Sequence, residues 1–310
     1  MKPLQLTLLT GTLVSGIGTQ AVELRPAVSE INGKVDYAGG VMESDAGHNF
    51  SGSITVPAGT HFGFQADALY SNISDRDFYG GAGHFFWRDP SVGLVGVAGG
   101  GVTQDAVSSF QGLIEGQYYV GKFTVGGHVG VGHLSYDIPA PFINSDPTKF
   151  TGGVTLDYYV TGNLRLGLGY TYAFQNSLGT VQAEYQTPWK GLALTAEYAR
   201  GENHYDHALF GLRFYFGKNK PLIDRHRQDD PPSLTHRILT GMGLYGAEFK
   251  HNARDYLIGS GSEVPGTGYG GSTAINITYP SFLREDEIAN EDRPPIVFPG
   301  FPPLPPPFGP

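Results

Sequence analysis

Nine charged residues occupy alternate positions within runs that are otherwise apolar or small: Lys34, Asp36, Asp67, Glu115, Asp157, Arg165, Glu184, Glu197 and Arg213. If all nine share one face of a set of strands, six carboxylates meet three bases. Around a water-filled path such a wall focuses a field that favours cations. In a narrow interior it forms paired ions and hydrogen-bonded ladders instead, because a buried charge needs a partner. Both readings stay open on the sequence. His84 and His128 would join either set. Arg165 falls on the strand next to Asp157 and Glu184, and Arg213 falls next to the strand of Glu197.

Other chemistry is thinner. Asp206 and His207, with Glu202 and His204 close by, pair an acid with imidazoles as a hydrolytic dyad does. No Ser is spaced to complete a nucleophilic set, so no catalytic residue is assigned and the chain is read as no enzyme. The histidines from His61 to His133 lack the spacing of a zinc site, and the Gly-rich runs at 99–101 and 259–271 lack that of a phosphate loop. No metal or cofactor site is therefore assigned. The 310 residues contain no Cys, which excludes a disulfide scaffold and a thiolate nucleophile. A net charge of -9 speaks against a nucleic-acid partner.

The elements that must position the charges are strands. From Asn163 to Gln175, Leu164, Leu166, Leu168, Tyr170, Tyr172 and Phe174 share one parity, while Arg165, Gly167, Gly169, Thr171, Ala173 and Gln175 share the other. Only a strand, whose side chains alternate between faces, sorts residues this way. The rhythm recurs and predicts about twelve strands: 34–42, 49–56, 61–71, 77–87, 91–102, 109–120, 123–134, 150–160, 164–175, 179–187, 192–200 and 207–217. The connections read as alternately short and long, which places both ends of the strand region on one rim. Large Tyr side chains near strand ends suit a membrane interface, and the Gly, Thr and Gln of the opposite parity suit a lumen. No run of 18 uncharged apolar residues supports a spanning helix.

Four segments follow. Residues 1–21 read as a secretory signal peptide with cleavage after Ala21. Residues 22–33 are a lead-in, 34–217 hold the strands, and 218–310 form a tail that is mostly irregular and Pro-rich at its end. The run Arg225 to Asp230 is read as a solvated hinge, and docking of Leu239 to Phe249 onto the main domain is left open.

The last strand carries a resemblance. In Leu209-Phe210-Gly211-Leu212-Arg213-Phe214-Tyr215-Phe216, a hydrophobic residue, a Gly two positions on and alternate aromatics resemble the assembly signal of bacterial outer-membrane β-barrel proteins of the small porin-like kind. Leu209, Gly211, Phe214 and Phe216 carry it, and the general likeness covers about residues 22–217. In that family this strand usually closes the protein, whereas here the chain continues to Pro310. The resemblance implies an all-β, transmembrane, up-and-down antiparallel barrel in the cell outer membrane. Its partners would be outer-membrane lipids and the barrel assembly machinery, with both ends periplasmic and the tail available to a periplasmic or cell-wall partner. The activity implied is a narrow passive channel for small polar or cationic solutes. The alternative is a structural or partner-binding barrel with a packed, non-conducting lumen.

Overall fold

The computed structural model describes residues 25–259 except 43–44, 74, 106 and 137–147. Twelve strands form the wall. They are β1 (Asn32–Met42), β2 (Asp45–Pro57), β3 (Phe62–Ile73), β4 (Arg76–Asp89), β5 (Gly93–Gln104) and β6 (Val107–Val120). The second half is β7 (Phe123–Tyr136), β8 (Thr148–Thr161), β9 (Leu164–Ala173), β10 (Asn176–Gln186), β11 (Leu192–Gly201) and β12 (Asp206–Phe216). Each pairs antiparallel with its sequence neighbours, and β1 pairs with β12 in a register that sets Val35 against Phe214 and closes the barrel. Closure matters in hydrocarbon, where an open edge would leave backbone groups unpaired at several kcal/mol each.

Side chains sort by parity as the two-residue rhythm requires. Leu168 and Phe210 stand outward with 57% and 62% of their surface exposed, as do Ile54, Val97, Ile114, Val154 and Leu194. Aromatic side chains collect near both rims: Phe62 stacks on Phe85 and Phe123 on Tyr158 at one, and Tyr70 lies 5.4 Å from Tyr79 at the other. An exposed apolar band between two aromatic girdles is the surface of a barrel seated in a membrane. No helix among the described residues is long and apolar enough to cross one.

Two expectations need correction. Phe174 is not on the outer face: it and Gln175 take left-handed φ values of 51° and 71°, and the turn folds Phe174 into the interior, where it is buried. The long and short connections do not alternate regularly either. Strands extend through Asp45, His48, Arg76 and Val107, so most connections at both rims are two to five residues long. Only the link between Tyr136 and Thr148 is longer. It lies at the far rim, opposite the entry rim where β1 begins and β12 ends. The two ends of the barrel wall thus share the periplasmic rim.

The segment after Gly217 departs from an irregular tail over much of its described length. It forms α1 (Leu222–Gln228) and α2 (Leu234–Gly259). Helix α2 packs on β3, β4, β5, β6, β9 and β10 from inside the barrel. Apolar residues at Leu234, Ile238, Leu239, Met242 and Tyr245 recur at helical spacing, which gives α2 a face for the wall. The signal-peptide segment 1–21 and the Pro-rich end lie outside the described residues.

Candidate functional site

The lumen is the candidate site, and the chain's own C-terminal segment occupies it. At the entry rim α1 lies across the mouth. Pro221 precedes its first turn, where a missing N–H costs nothing. Leu222 is buried among Tyr159, Ala193 and Tyr215, and the Leu222 amide donates to Asn163 Oδ1 at 3.3 Å. The Arg225 guanidinium covers the Tyr215 ring at 4.8 Å, and Arg227 covers Tyr119 at 5.2 Å. His226 bridges the Tyr159 and Tyr215 hydroxyls at 2.9 and 3.0 Å. The lead-in packs at the same rim. Val28 packs on Phe86 and Leu94, the Ala27 amide donates to the Thr60 carbonyl at 2.7 Å, and the Ser29 hydroxyl donates to Asp229 at 2.8 Å.

The link from α1 to α2 is tied to the wall by charge. Lys34 Nζ of β1 donates to Asp230 at 2.7 Å with both side chains buried, while within the segment Lys220 donates to Asp229 at 2.6 Å. Asp67 accepts the backbone N–H of Leu234 at 2.9 Å and so holds the first turn of α2. Arg225, Asp229 and Asp230 are all buried, so the hinge expected to be solvated is instead packed. The reason is local: Arg225 and Arg227 lie over Tyr215 and Tyr119, Asp229 takes Ser29 and Lys220, and Asp230 takes Lys34 of the wall.

Beyond Leu234 the packing turns apolar. Ile238, Leu239, Met242, Leu244 and Ala247 form one buried cluster with Leu69, Val102, Leu134, Leu178 and Tyr205 of the wall and far rim. Two glycines let the helix approach. A Cβ on Gly243 would stand 2.6 Å from the Tyr205 ring, and one on Gly241 would stand 3.1 Å from Gln111 Nε2. A helical Gly costs up to about 1 kcal/mol against Ala; here it makes room for the wall. Glu248 accepts from Asn176 Nδ2 at 2.7 Å, at the far rim.

The nine lumen charges form four groups. Arg165 donates to Asp157 at 2.7 Å and lies 3.7 Å from Glu184. Arg213 contacts Glu184 at 2.8 Å and also pairs with Asp36 across the β1–β12 seam. It does not meet Glu197, the neighbour the sequence reading gave it. In the register of β11 with β12, Arg213 faces Ala193 and Glu197 faces Leu209. Glu197 instead binds His207 at 2.7 Å and His236 of α2 at 2.9 Å. Asp67 and Glu115 hold the two nitrogens of His84 at 3.1 and 2.8 Å, and Lys34 pairs with Asp230. His128 is buried on the same wall.

A cavity of about 280 Å³ remains between α2 and the β8–β12 wall, lined by Asp157, Arg165, Glu184, Glu197, Arg213 and His236. His207, the imidazole of the considered dyad, points into the lumen and holds Glu197 and the Tyr205 hydroxyl, the latter at 3.0 Å. No group of three or more His, Cys, Asp or Glu is arranged to hold a metal ion among the described residues. In the assembly-signal strand, Leu209 is buried in the lumen, Arg213 and Tyr215 share its face, and Phe214 and Phe216 look outward. An added Cβ on Gly211 would meet the Tyr37 carbonyl oxygen at 2.6 Å, so close strand approach requires Gly there.

The residues that sequence reasoning missed are those of α1, α2 and the link between them: Leu222, Arg225, His226, Asp230, His236 and Leu244. The helical spacing from Leu234 to Tyr245 is the signal for those of α2 alone.

No protein-family model and no curated protein matches this sequence. Among solved structures, the KdgM porin in complex with disordered oligogalacturonate aligns at TM-score 0.47 and 12% identity, over 59% of this chain and 99% of that one. The NanC porin aligns at TM-score 0.47 and 9% identity, over 58% and 98%. The outer membrane protein Omp33 of Acinetobacter baumannii aligns at TM-score 0.39 and 13% identity, over 60% and 99%. This chain is a closed barrel of twelve antiparallel strands with the exterior of a barrel seated in a membrane, and it aligns with the barrels of these porins.

Proposed function

We propose that the barrel is closed at rest by its own C-terminal segment, and that it holds this segment within the membrane and keeps no open pore. The observation that carries the reading is the seating of α2: Leu234, Ile238 and Leu244 have no exposed surface and interlock with the inner wall. Burying three such side chains favours docking by about 1.5–3 kcal/mol each before ordering costs. The closed entry mouth supports the same reading, because α1 and residues 27–29 cover it.

A second reading has one observation in its favour. The cavity of about 280 Å³ runs beside α2 along a wall carrying Asp157, Glu184 and Glu197. A narrow path for small polar or cationic solutes would run there, its charges favouring cations.

Conductance in a planar bilayer separates the two. Full-length protein is expected to give no steady current, and Leu244→Asp, which places a charge in the apolar cluster, is expected to open it in steps. The Ala173 Cβ lies 3.7 Å from the position of a Cβ on Gly241, within disulfide range, and the chain has no other Cys. Oxidised Ala173→Cys/Gly241→Cys protein should therefore stay shut even with Leu244→Asp present. A steady wild-type current, matched by the same current from oxidised Ala173→Cys/Gly241→Cys protein, would overturn the closed barrel in favour of the channel beside the helix.

A further inference from the structure

Contacts of the C-terminal segment climb the barrel in sequence order. Leu222 and Ile223 bond to Asn163 and Gly162 at the entry rim. Pro231 and Leu234 bond to Gln65 and Asp67 near the middle of β3, and His236 bonds to Glu197 near the middle of β11. Gly241 then lies against Gln111 and Ala173, Gly243 against Tyr205, and Leu244 against Gly201. Glu248 reaches Asn176, the first residue after the β9–β10 turn at the far rim. The direction is unbroken.

Length completes the argument. Helix α2 has 26 residues. At about 1.5 Å per residue, the 14 steps from Leu234 to Glu248 cover about 21 Å, and the 11 that remain to Gly259 add about 16 Å beyond the far-rim contact. The apolar band of such a barrel is about 25 Å tall. A helix that starts at mid-barrel therefore leaves the lumen well before it ends.

From this geometry we infer that the barrel carries its own C-terminal segment across the outer membrane, with the end of α2 emerging from the lumen on the external side. The far rim is the external one, since the wall begins and ends at the periplasmic rim. The following segment contains Arg284, Glu285, Asp286 and Glu287, and such a charged stretch does not cross hydrocarbon unaided. The lumen is its route. A return through the same lumen has no space: the cavity beside α2, about 280 Å³, is at or below the size of a small-molecule pocket. This inference rests on the direction of α2 and stands whether or not the lumen conducts.

The absence of native Cys makes single-cysteine reporters direct. Intact cells carrying full-length protein are treated with a membrane-impermeant maleimide. Asn203→Cys, in the far-rim connection, and Ser272→Cys are expected to label equally without permeabilisation. Ala58→Cys, in an entry-rim connection, should label only after the outer membrane is permeabilised. Ser272→Cys behaving like Ala58→Cys would overturn the inference and return the tail to the periplasm, where a cell-wall partner could take it. Labelling of Ala58→Cys in intact cells would overturn it too, by placing the entry rim outside. Heat-shifted migration on a denaturing gel checks that each variant is a closed barrel, and conductance plays no part in the readout.

Discussion

The two halves of the lumen are filled by the same segment but held by different forces. In the entry half, α1 and the link after it meet the wall through Lys34–Asp230, His226 with two tyrosines, and cations over aromatic rings. In the far half, α2 meets the wall through Leu239, Met242, Leu244 and Ala247. The difference follows from what each half must satisfy. A chain entering from water brings the polar backbone and charges of a short helix and a turn, and these need partners once buried. A regular helix satisfies its own backbone, so its docking can be left to shape and apolar area. The charged half specifies where the segment sits; the apolar half supplies most of the adhesion.

Substitutions that strike one half should leave the other standing. The largest effect is expected from Asp230→Ala, which leaves the Lys34 ammonium buried without its carboxylate. Breaking a buried pair costs about 3–5 kcal/mol. In detergent-solubilised protein, trypsin cleavage after Arg225 and Arg227 should rise by about two to four orders of magnitude, since cleavage follows the open population. Oxidative cross-linking of Ala173→Cys with Gly241→Cys should persist. Loss of the cross-link as well would mean that the two halves dock as one unit.

Next comes Leu244→Ala in the apolar half. Leu244 has no exposed surface and packs against Gly201 and Leu178. Truncation there costs about 2–5 kcal/mol. It should speed cleavage after Arg237 and lower cross-link yield, with Arg225 still protected. Gly243→Val is expected to cost less, about 1–3 kcal/mol of overpacking against Tyr205. Combining it with Tyr205→Ala should restore part of the cross-link yield. If the double variant is no better than the sum of the singles, the Gly243–Tyr205 contact is not what limits the fit.

The outer wall was largely legible in the sequence, and the lumen's filling was not. Leu166 and Leu168 announce their face because strand parity is fixed by the pleat. Phe174 broke the pattern because two left-handed residues end β9 one position earlier. Strand ends were read short because Asp45, His48 and Arg76 resemble loop residues, while a barrel wall that rises above the membrane can carry polar side chains on both faces. Arg165 between Asp157 and Glu184 could be read from adjacent strands. The Arg213–Asp36 pair needed the closing seam of β1 with β12, and Lys34 took its partner from outside the wall, as Glu197 did one of its two. Gly241 and Gly243 lie in the stretch whose docking the sequence leaves open. Their role becomes visible only with the narrow tube around them.

Ionic strength gives the smallest expected effect and the sharpest discrimination within the charged half. Arg25 and Asp224 approach to 3.9 Å at the entry rim, with both side chains well exposed. Such pairs contribute about 0–1 kcal/mol. Raising salt from about 0.1 to 1 M shortens the screening length from about 10 to 3 Å, which weakens this pair while leaving buried ones largely unscreened. Protection of Arg225 and Arg227 should accordingly change by less than about fivefold, an amount Asp224→Asn should reproduce at low salt. A much larger loss of protection at 1 M salt would show that exposed charges keep α1 in place. The buried Lys34–Asp230 pair would then have no special part in seating the segment, and the division between a charged and an apolar half would reduce to a division between wet and dry.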